Sequence, residues 1–432
     1  MTRPLIVENA RIVDPASGFD GIGWLRVEDG KVTALAPGAA PAGADAKRVD
    51  GRHRVLAPGL IDMRVFTGEP GREYRETLQS AGEAAAAGGV TSFVAMPDTQ
   101  PAIDDGSLVD YLLRRASATC KVNVLPSAAI TKGLNGEEIT EFGLLKEAGA
   151  VCFTDGRQSI QSSALLRAAF SYAANFDMPV IHQLRDAGLA GDGVMHEGLY
   201  ATVLGLRGIP AEAETVPLDR DLQLAALTGV RYHAAQLSTG RAVAMMMNEK
   251  RRNPRVSCGV SINNLSLNEN DVGAYRTYFK LNPPLRSEDD RRALVEGLKQ
   301  GVIDTIHSDH DPQDTEVKRR PFAEASDGAV GLETLLPAAL RLVHAGEVDL
   351  MTVLRAMTAR PAEILGLDAG RLAPGAPADF ILFDPDYPWQ VQEASLRSRS
   401  RNTSFEGARL AGVVTATYVG GRRVFEFAGE DA

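Results

Sequence analysis

Histidine is scarce in this chain. The 432 residues carry seven: His53, His182, His196, His233, His307, His310 and His344. A zinc centre built on imidazole has little to draw on. Cysteine is scarcer still. Cys120, Cys152 and Cys258 are widely spaced and odd in number, which argues against a disulfide framework or a thiolate zinc cluster and fits a reducing compartment. No apolar run is long enough to span a bilayer, and the N-terminal residues show no apolar leader. The expectation is a cytoplasmic protein with no membrane partner. Basic excess is also missing. A net charge of −10 and a pI near 5.4 speak for solubility and against a nucleic-acid-binding surface. No Gly-x-Ser-x-Gly elbow supplies a nucleophile, and Cys152 has no evident activator in the sequence.

What is present is an ordinary globular composition, 44% apolar and 24% charged, long enough for a large barrel plus a smaller domain. Both ends are rich in strand patterns. Residues 4–14, 23–28 and 31–36 run or alternate between Gly and Asp turns, and 378–383, 413–419 and 423–427 do likewise. Ends of one texture predict a small β-sandwich built from both termini, residues 1–57 plus 370–432, with 38–44 a flexible loop inside it. Between them, apolar runs alternate with helical patterns. Strands are expected at about 59–66, 91–96, 122–127, 150–153, 179–182, 231–237, 255–260 and 303–307. Helices fit 73–87, Ser163–Ala174 and 241–249. Eight βα units predict an α/β fold, a closed (β/α)8 TIM barrel over 58–369. An open doubly wound sheet is the alternative, weakened by the missing Gly-rich phosphate loop after the first strand.

Active sites of such barrels lie at the C-terminal strand ends. The first strand delivers Arg64 and Phe66 there, the second Asp98, the fourth Asp155 and the fifth His182. The sixth brings Gln236, the seventh leads into Asn263 and Asn264, and the eighth ends in Ser308, Asp309 and His310. Singly, each has a bland reading: Asp155 before a glycine is a turn residue, and His182 a hydrogen-bonded core side chain. Three polar residues closing an apolar strand are a stronger signal, and the joint placement is stronger again. The charged stretch 314–324 reads as a mobile surface loop.

Several stretches carry a family likeness: Gly59-Leu60-Ile61-Asp62, Glu69-Pro70-Gly71, Val94-Ala95-Met96-Pro97, Leu281-Asn282-Pro283-Pro284-Leu285-Arg286, Ser308-Asp309-His310, Gly331-Leu332-Glu333-Thr334 and Asn402-Thr403-Ser404-Phe405-Glu406-Gly407. The chain resembles the amidohydrolase superfamily, and within it the class I dihydroorotases, over nearly its whole length. The resemblance implies a binuclear zinc site held by two His of the first strand, an Asp after the fourth, and a His on each of the fifth and sixth. An Asp on the eighth both ligates and serves as general base. Asp155, His182 and Asp309 match those positions. Arg64, Phe66 and Gln236 replace three histidines. A protonated guanidinium and a phenyl ring donate no lone pair, and a carboxamide is a poor substitute for imidazole. The family's Arg and Asn for the substrate carboxylate read Gly68 and Asp98 here. Asn282 and His310 match substrate-contacting positions, and Ile262-Asn263-Asn264 replaces a Pro-His-His pattern.

The expectation is therefore a pseudoenzyme: a dihydroorotase-like chain of pyrimidine biosynthesis without a cofactor, its site vestigial. Arg64 is expected to bridge Asp155 and Asp309 as a surrogate for metal charge, with Phe66 filling the remaining space. The likeness extends to ligand-lacking chains that act as structural partners of aspartate carbamoyltransferase, which implies that partner here, and a homo-oligomer of at least two copies. Two alternatives stand. One is an active, zinc-dependent dihydroorotase or other cyclic amidohydrolase with an atypical site, in which Asp309 and His310 act as a pair. The other is a sensor of a pyrimidine intermediate.

Overall fold

Alternating polar and apolar residues shape the first strands of the chain, as a half-buried sheet requires. They are β1 (Leu5–Asp14), β2 (Phe19–Glu28), β3 (Lys31–Pro37), β4 (Lys47–Asp50) and β5 (Val55–Pro58). The computed structural model describes residues 3–42 and 45–428. Residues 1–2 and 429–432 of the expected terminal domain, and Gly43 and Ala44 of its loop, lie outside the described residues.

The central strands are β6 (Leu60–Val65), β7 (Val90–Ala95), β8 (Asn123–Ala128), β9 (Cys152–Phe153) and β10 (Pro179–His182). A small pair follows, β11 (Met195–His196) and β12 (Gly208–Ile209). The series continues with β13 (Arg231–Ala234), β14 (Val256–Ser261) and β15 (Thr305–His307). The chain ends with β16 (Phe380–Gln390), β17 (Arg409–Val419) and β18 (Arg422–Glu426).

The two ends of the chain share one eight-stranded sheet, in the order β18-β17-β16-β5-β1-β2-β3 with β4 also paired to β1. Strand β16 runs antiparallel to β5, Phe380 opposite Pro58, so sequence-distant termini meet as their shared texture implied. Strand β1 changes partner along one edge, from β4 at Leu5–Glu8 to β5 at Arg11 and Ile12. The change falls at Asn9, in the left-handed region at φ 58°, which a short polar side chain tolerates. Ile12, Leu25, Val32, Leu56, Phe380 and Tyr418 form this sheet's own core.

The other eight-stranded sheet, β6-β7-β8-β9-β10-β13-β14-β15, is parallel throughout. Strands β6, β7, β10 and β14 are buried along their whole length, as expected when helices cover the outside and side chains fill the inside. The seam between first and last strands closes through a parallel bridge of Val65 with His310, where the Phe66 amide donates to the His310 carbonyl at 2.9 Å. A closed barrel, not an open doubly wound sheet, is the result.

Two local expectations change. The helix placed at 73–87 begins later, at Leu78–Ala87, where the Thr77 hydroxyl accepts from the Ser80 amide; residues 73–75 form a turn, and Arg75 and Glu76 serve the barrel mouth instead. The stretch 314–324 is not a loose loop. It holds a helical turn, Thr315–Lys318, and buried Lys318 donates to the carbonyls of Thr277 (3.0 Å) and Ser326 (2.7 Å). An ammonium satisfied by backbone oxygens pins the segment over the barrel.

Gly88 caps the Leu78–Ala87 helix with an ordinary φ of −83°, yet a Cβ there would lie 2.0 Å from the Leu332 carbonyl. Gly88→Ala is therefore a pure overlap. It is expected to cost about 2 kcal/mol, read as a lower urea midpoint with unchanged slope.

Candidate functional site

The barrel mouth is assembled from strand ends and the turns that follow them. Arg64, inward-facing on β6, is 4% exposed. Its Nε donates to Asp309 Oδ1 at 3.0 Å, across the closing seam of the barrel. Gln236, just past β13, donates Nε2 to the same oxygen at 2.7 Å. Asp309 itself sits at φ 53°, a conformation that turns the chain sharply after β15. The expected pairing of Arg64 with Asp309 is present. The expected second arm is not: Arg64 Nη1 reaches only the Gly156 carbonyl at 3.4 Å, and Nη2 is buried without a partner.

Asp155 is neutralised by neither metal-like charge nor arginine. Its Oδ1 accepts from the amides of Ile130 (2.8 Å) and Thr131 (2.9 Å), and its Oδ2 from the Thr131 hydroxyl at 2.6 Å. Burial raises its pKa, and these three donors oppose the rise. Three short donors hold a buried carboxyl without a counter-ion.

His182 is fully buried, and both ring nitrogens are engaged. The Ile160 amide donates to Nε2 at 3.0 Å, which places the ring proton on Nδ1, facing Asp221 Oδ2 at 2.6 Å. Asp221 also accepts from the Tyr232 hydroxyl and from Arg220. The lone pair that a metal would use is occupied by a backbone N–H.

His310 faces away from Asp309. Its Nε2 lies 3.2 Å from Glu76 Oε2, and its Nδ1 accepts from the Gly331 amide at 3.2 Å. The acid–base pairing of Asp309 with His310 weighed from sequence is not formed. Asn282 uses its carboxamide oxygen to accept from Arg185 at 3.1 Å.

Phe66 is buried among cations. Arg75 stacks 4.0 Å from its ring centroid and Arg157 lies at 5.4 Å, a geometry in which the ring face attracts charge. Arg157 also binds Asp98 Oδ2 at 2.9 Å and pairs with Asp311. Arg75 binds Asp311 Oδ1 at 2.5 Å and the Pro312 carbonyl at 2.8 Å. Burial would raise the Asp98 carboxyl, but Arg157, Arg64 and Arg75 outweigh it and hold it below its usual range. The extra anion that Asp98 brings is thus already matched. Three arginines, at 64, 75 and 157, interleave with three aspartates, at 98, 309 and 311. Arg75, Arg157, Glu76, Arg185 and Asp221 were not singled out from sequence. Arg157, two residues after Asp155 in an Asp-Gly-Arg turn, carried the one local signal.

Other histidines of the barrel are core groups. Burial pushes His233 and His307 down to about 3. His233 Nδ1 meets the Ser257 hydroxyl, and His307 Nε2 the Ala235 carbonyl.

The Dihydro-orotase-like family matches residues 53–242, and the Amidohydrolase family residues 293–425. A protein named dihydroorotase from Anaeromyxobacter sp. (strain K) is 44% identical over 428 residues, 99% of each chain. This chain belongs to the dihydroorotase-like amidohydrolases. A second relative named dihydroorotase, from Trichlorobacter lovleyi (strain ATCC BAA-1151 / DSM 17278 / SZ), is 40% identical over 98% of this chain and 99% of its own. Among solved structures, the L-hydantoinase (dihydropyrimidinase) from Arthrobacter aurescens superposes with a TM-score of 0.89 at 25% identity, covering 98% of this chain and 96% of its own. The dihydropyrimidinase from Brevibacillus agri NCHU1002, with a TM-score of 0.85 at 19% identity and 98% and 95% coverage, shares the fold.

Members of the wider superfamily work with zinc, and the donor set of this dihydroorotase-like site does not fit that ion. Arg64 brings a positive charge, Phe66 has no donor atom, and the His182 lone pair is bound. Gln236 turns its N–H, not its oxygen, to Asp309. Among the described residues no group of three His, Cys, Asp or Glu side chains comes together in metal-binding geometry.

Two expectations follow for the dihydroorotase-like mouth. Arg64→His removes the counter-charge of a buried carboxylate and is expected to cost about 3 kcal/mol in urea unfolding; adding Asp309→Asn should recover part of the loss in a double-mutant cycle. An unchanged midpoint for the single variant would show that Asp309 does not depend on Arg64. Gly68 lies at φ 68°, and a Cβ there would meet the Glu76 carbonyl at 2.3 Å and the Arg72 carbonyl at 2.7 Å. Gly68→Arg is therefore expected to destabilise by about 3 kcal/mol, measured by the same unfolding, and not to restore a substrate clamp.

Proposed function

We propose that this protein is a non-catalytic, dihydroorotase-like component of pyrimidine biosynthesis that serves aspartate carbamoyltransferase as a structural or regulatory partner. The observation that carries the reading is the Arg64 guanidinium lying on Asp309 at the centre of the barrel mouth. Hydrolysis of a cyclic amide needs an activated water and a polarised carbonyl. Asp309, at the position of the family's general base, is held by two donors, and Asn282, His310 and Asp98 are each tied to a protein partner. Asp155, His182 and Asp309 are then remnants of a ligand set whose other members are Arg64, Phe66 and Gln236. The transcarbamoylase partner is supported by the likeness to dihydroorotase-like chains that lack these same ligands.

A second reading is catalysis itself. It is favoured by relatives named dihydroorotase at 44% identity over 99% of the chain. Zinc content decides between the two. Untagged protein from zinc-supplemented cells is expected to carry near-zero zinc by elemental analysis, to leave dihydroorotate unconverted, and to co-elute with aspartate carbamoyltransferase when the two are mixed. Stoichiometric zinc together with turnover would establish the second reading. Absence of a complex in gel filtration would remove the partner role.

A further inference from the structure

The stretch Gly331-Leu332-Glu333-Thr334 touches the barrel mouth through the Gly331 amide, which donates to His310. Its glutamate lines a separate pocket of about 150 Å³ on the outside of the barrel, where the helix Leu335–His344 and the end of the helix Leu78–Ala87 meet the terminal sheet. Three aromatic side chains wall this pocket: Trp389 from β16, Phe425 from β18, and Phe427 just beyond it. Each is half-buried, so ring surface is left for a guest. Pro337 and Leu396 add aliphatic surface. A dry cavity of about this size accepts one molecule of benzene.

Two charged groups stand among these apolar walls, Glu333 and Arg397. The Arg397 amide donates to Glu333 Oε2 at 2.8 Å, and the Ser398 amide also bonds the carboxyl. The Arg397 guanidinium goes elsewhere: it lies over the Phe425 ring, 5.1 Å from the centroid. Among the described residues Glu333 thus has backbone donors but no ion-pair partner. Burial pushes it up to about 7, against the pull of those two amides and of Arg397, while the Glu76 carboxylate adds to the rise. A carboxyl in apolar surroundings favours a cation that can pair with it, and aromatic faces favour the same charge. Arg397 on Phe425 shows that these walls accept a cation.

The walls are held in place. Trp389 Nε1 donates to the Gly412 carbonyl at 2.9 Å. Phe427 meets the Tyr387 ring edge-on, with centroids 5.5 Å apart. Residues 398 and 399 are tied to Glu76, through the Ser398 hydroxyl and the Arg399 amide. A surface fixed beforehand loses little freedom on binding.

We propose that this pocket binds a small organic cation with a single aromatic ring, an arylalkylamine or arylamidine in chemical class, its ring among Trp389, Phe425 and Phe427 and its charged nitrogen on Glu333. The site is separate from the barrel mouth, and the proposal holds whether or not the mouth is catalytic.

Isothermal titration of the full chain with benzylamine, benzamidine, benzyl alcohol and benzoate tests it. The two cations are expected to bind saturably at pH 8, and the neutral alcohol and the anion at least about tenfold more weakly. Lowering the pH to 6 should weaken both cations about tenfold, because Glu333 takes up a proton near pH 7. Glu333→Gln should weaken them by a similar factor and abolish that pH dependence, with an unchanged circular dichroism spectrum. Phe427→Ala, beyond the last strand, should also weaken them about tenfold. The chain has two tryptophans, Trp24 and Trp389; in Trp24→Phe protein the cations should change the Trp389 emission over the same concentration range. Equal affinity for benzylamine and benzyl alcohol, tighter binding of benzoate, or saturable heat without a change at Trp389 would each overturn the proposal, as would no binding of either cation. The scaffold reading is judged apart from these outcomes, by zinc and by complex formation.

Discussion

A carboxylate buried at the end of a barrel strand has to be neutralised, and the structure turns on how Asp309 is. An unpaired buried anion is too costly to keep. Arg64 supplies the charge and Gln236 a further donor. The two partners lie 245 residues apart in sequence, on the first strand of the barrel and just past the last. The ion pair therefore spans the seam where the barrel closes, beside the Val65–His310 bridge. Asp62 reinforces the same seam, accepting from the Ser308 amide at 3.1 Å. Asp309 is thereby part of the closure of the fold.

Around this pair the mouth is built as an alternating lattice of charge. Arg75 and Arg157 share Asp311, Arg157 also takes Asp98, and both guanidiniums lie over the face of Phe66. The phenyl ring does two things that a histidine could not do here. It fills space that a smaller side chain would leave as a cavity, and it offers a surface on which cations settle without demanding a lone pair. Each member of the lattice depends on its neighbours, so the substitutions make sense as a set and not one at a time.

The barrel was legible because its signal is local: short apolar runs bounded by turns recur at the spacing of βα units, and each was found within a few residues of its place. The terminal sheet was legible from the shared texture of the two ends. At the site, Arg64, Phe66 and Gln236 could be read directly as identities at the strand ends. Their new partners could not. Asp155 finds Thr131, His182 finds Asp221, and His310 finds Glu76. These contacts join residues far apart in the chain, and nothing in local spacing announces them. The 314–324 stretch misled for a related reason: charge suggests a solvated loop, but Lys318 turns inward because backbone carbonyls converge on its ammonium.

The two carboxylates that were expected to share Arg64 have separate partners, and a count of charge explains why. A guanidinium carries one charge, whereas a pair of zinc ions carries four. One charge matches one carboxylate. A single arginine placed between two would have left a net buried anion. Asp309 keeps the arginine. Asp155 is turned toward the Ile130–Thr131 backbone, where three hydrogen-bond donors take over. With the His182 lone pair held by the Ile160 amide, Asp155, His182 and Asp309 each have a local partner of their own. A metal placed among them would have to undo all three arrangements together, and the seam with them.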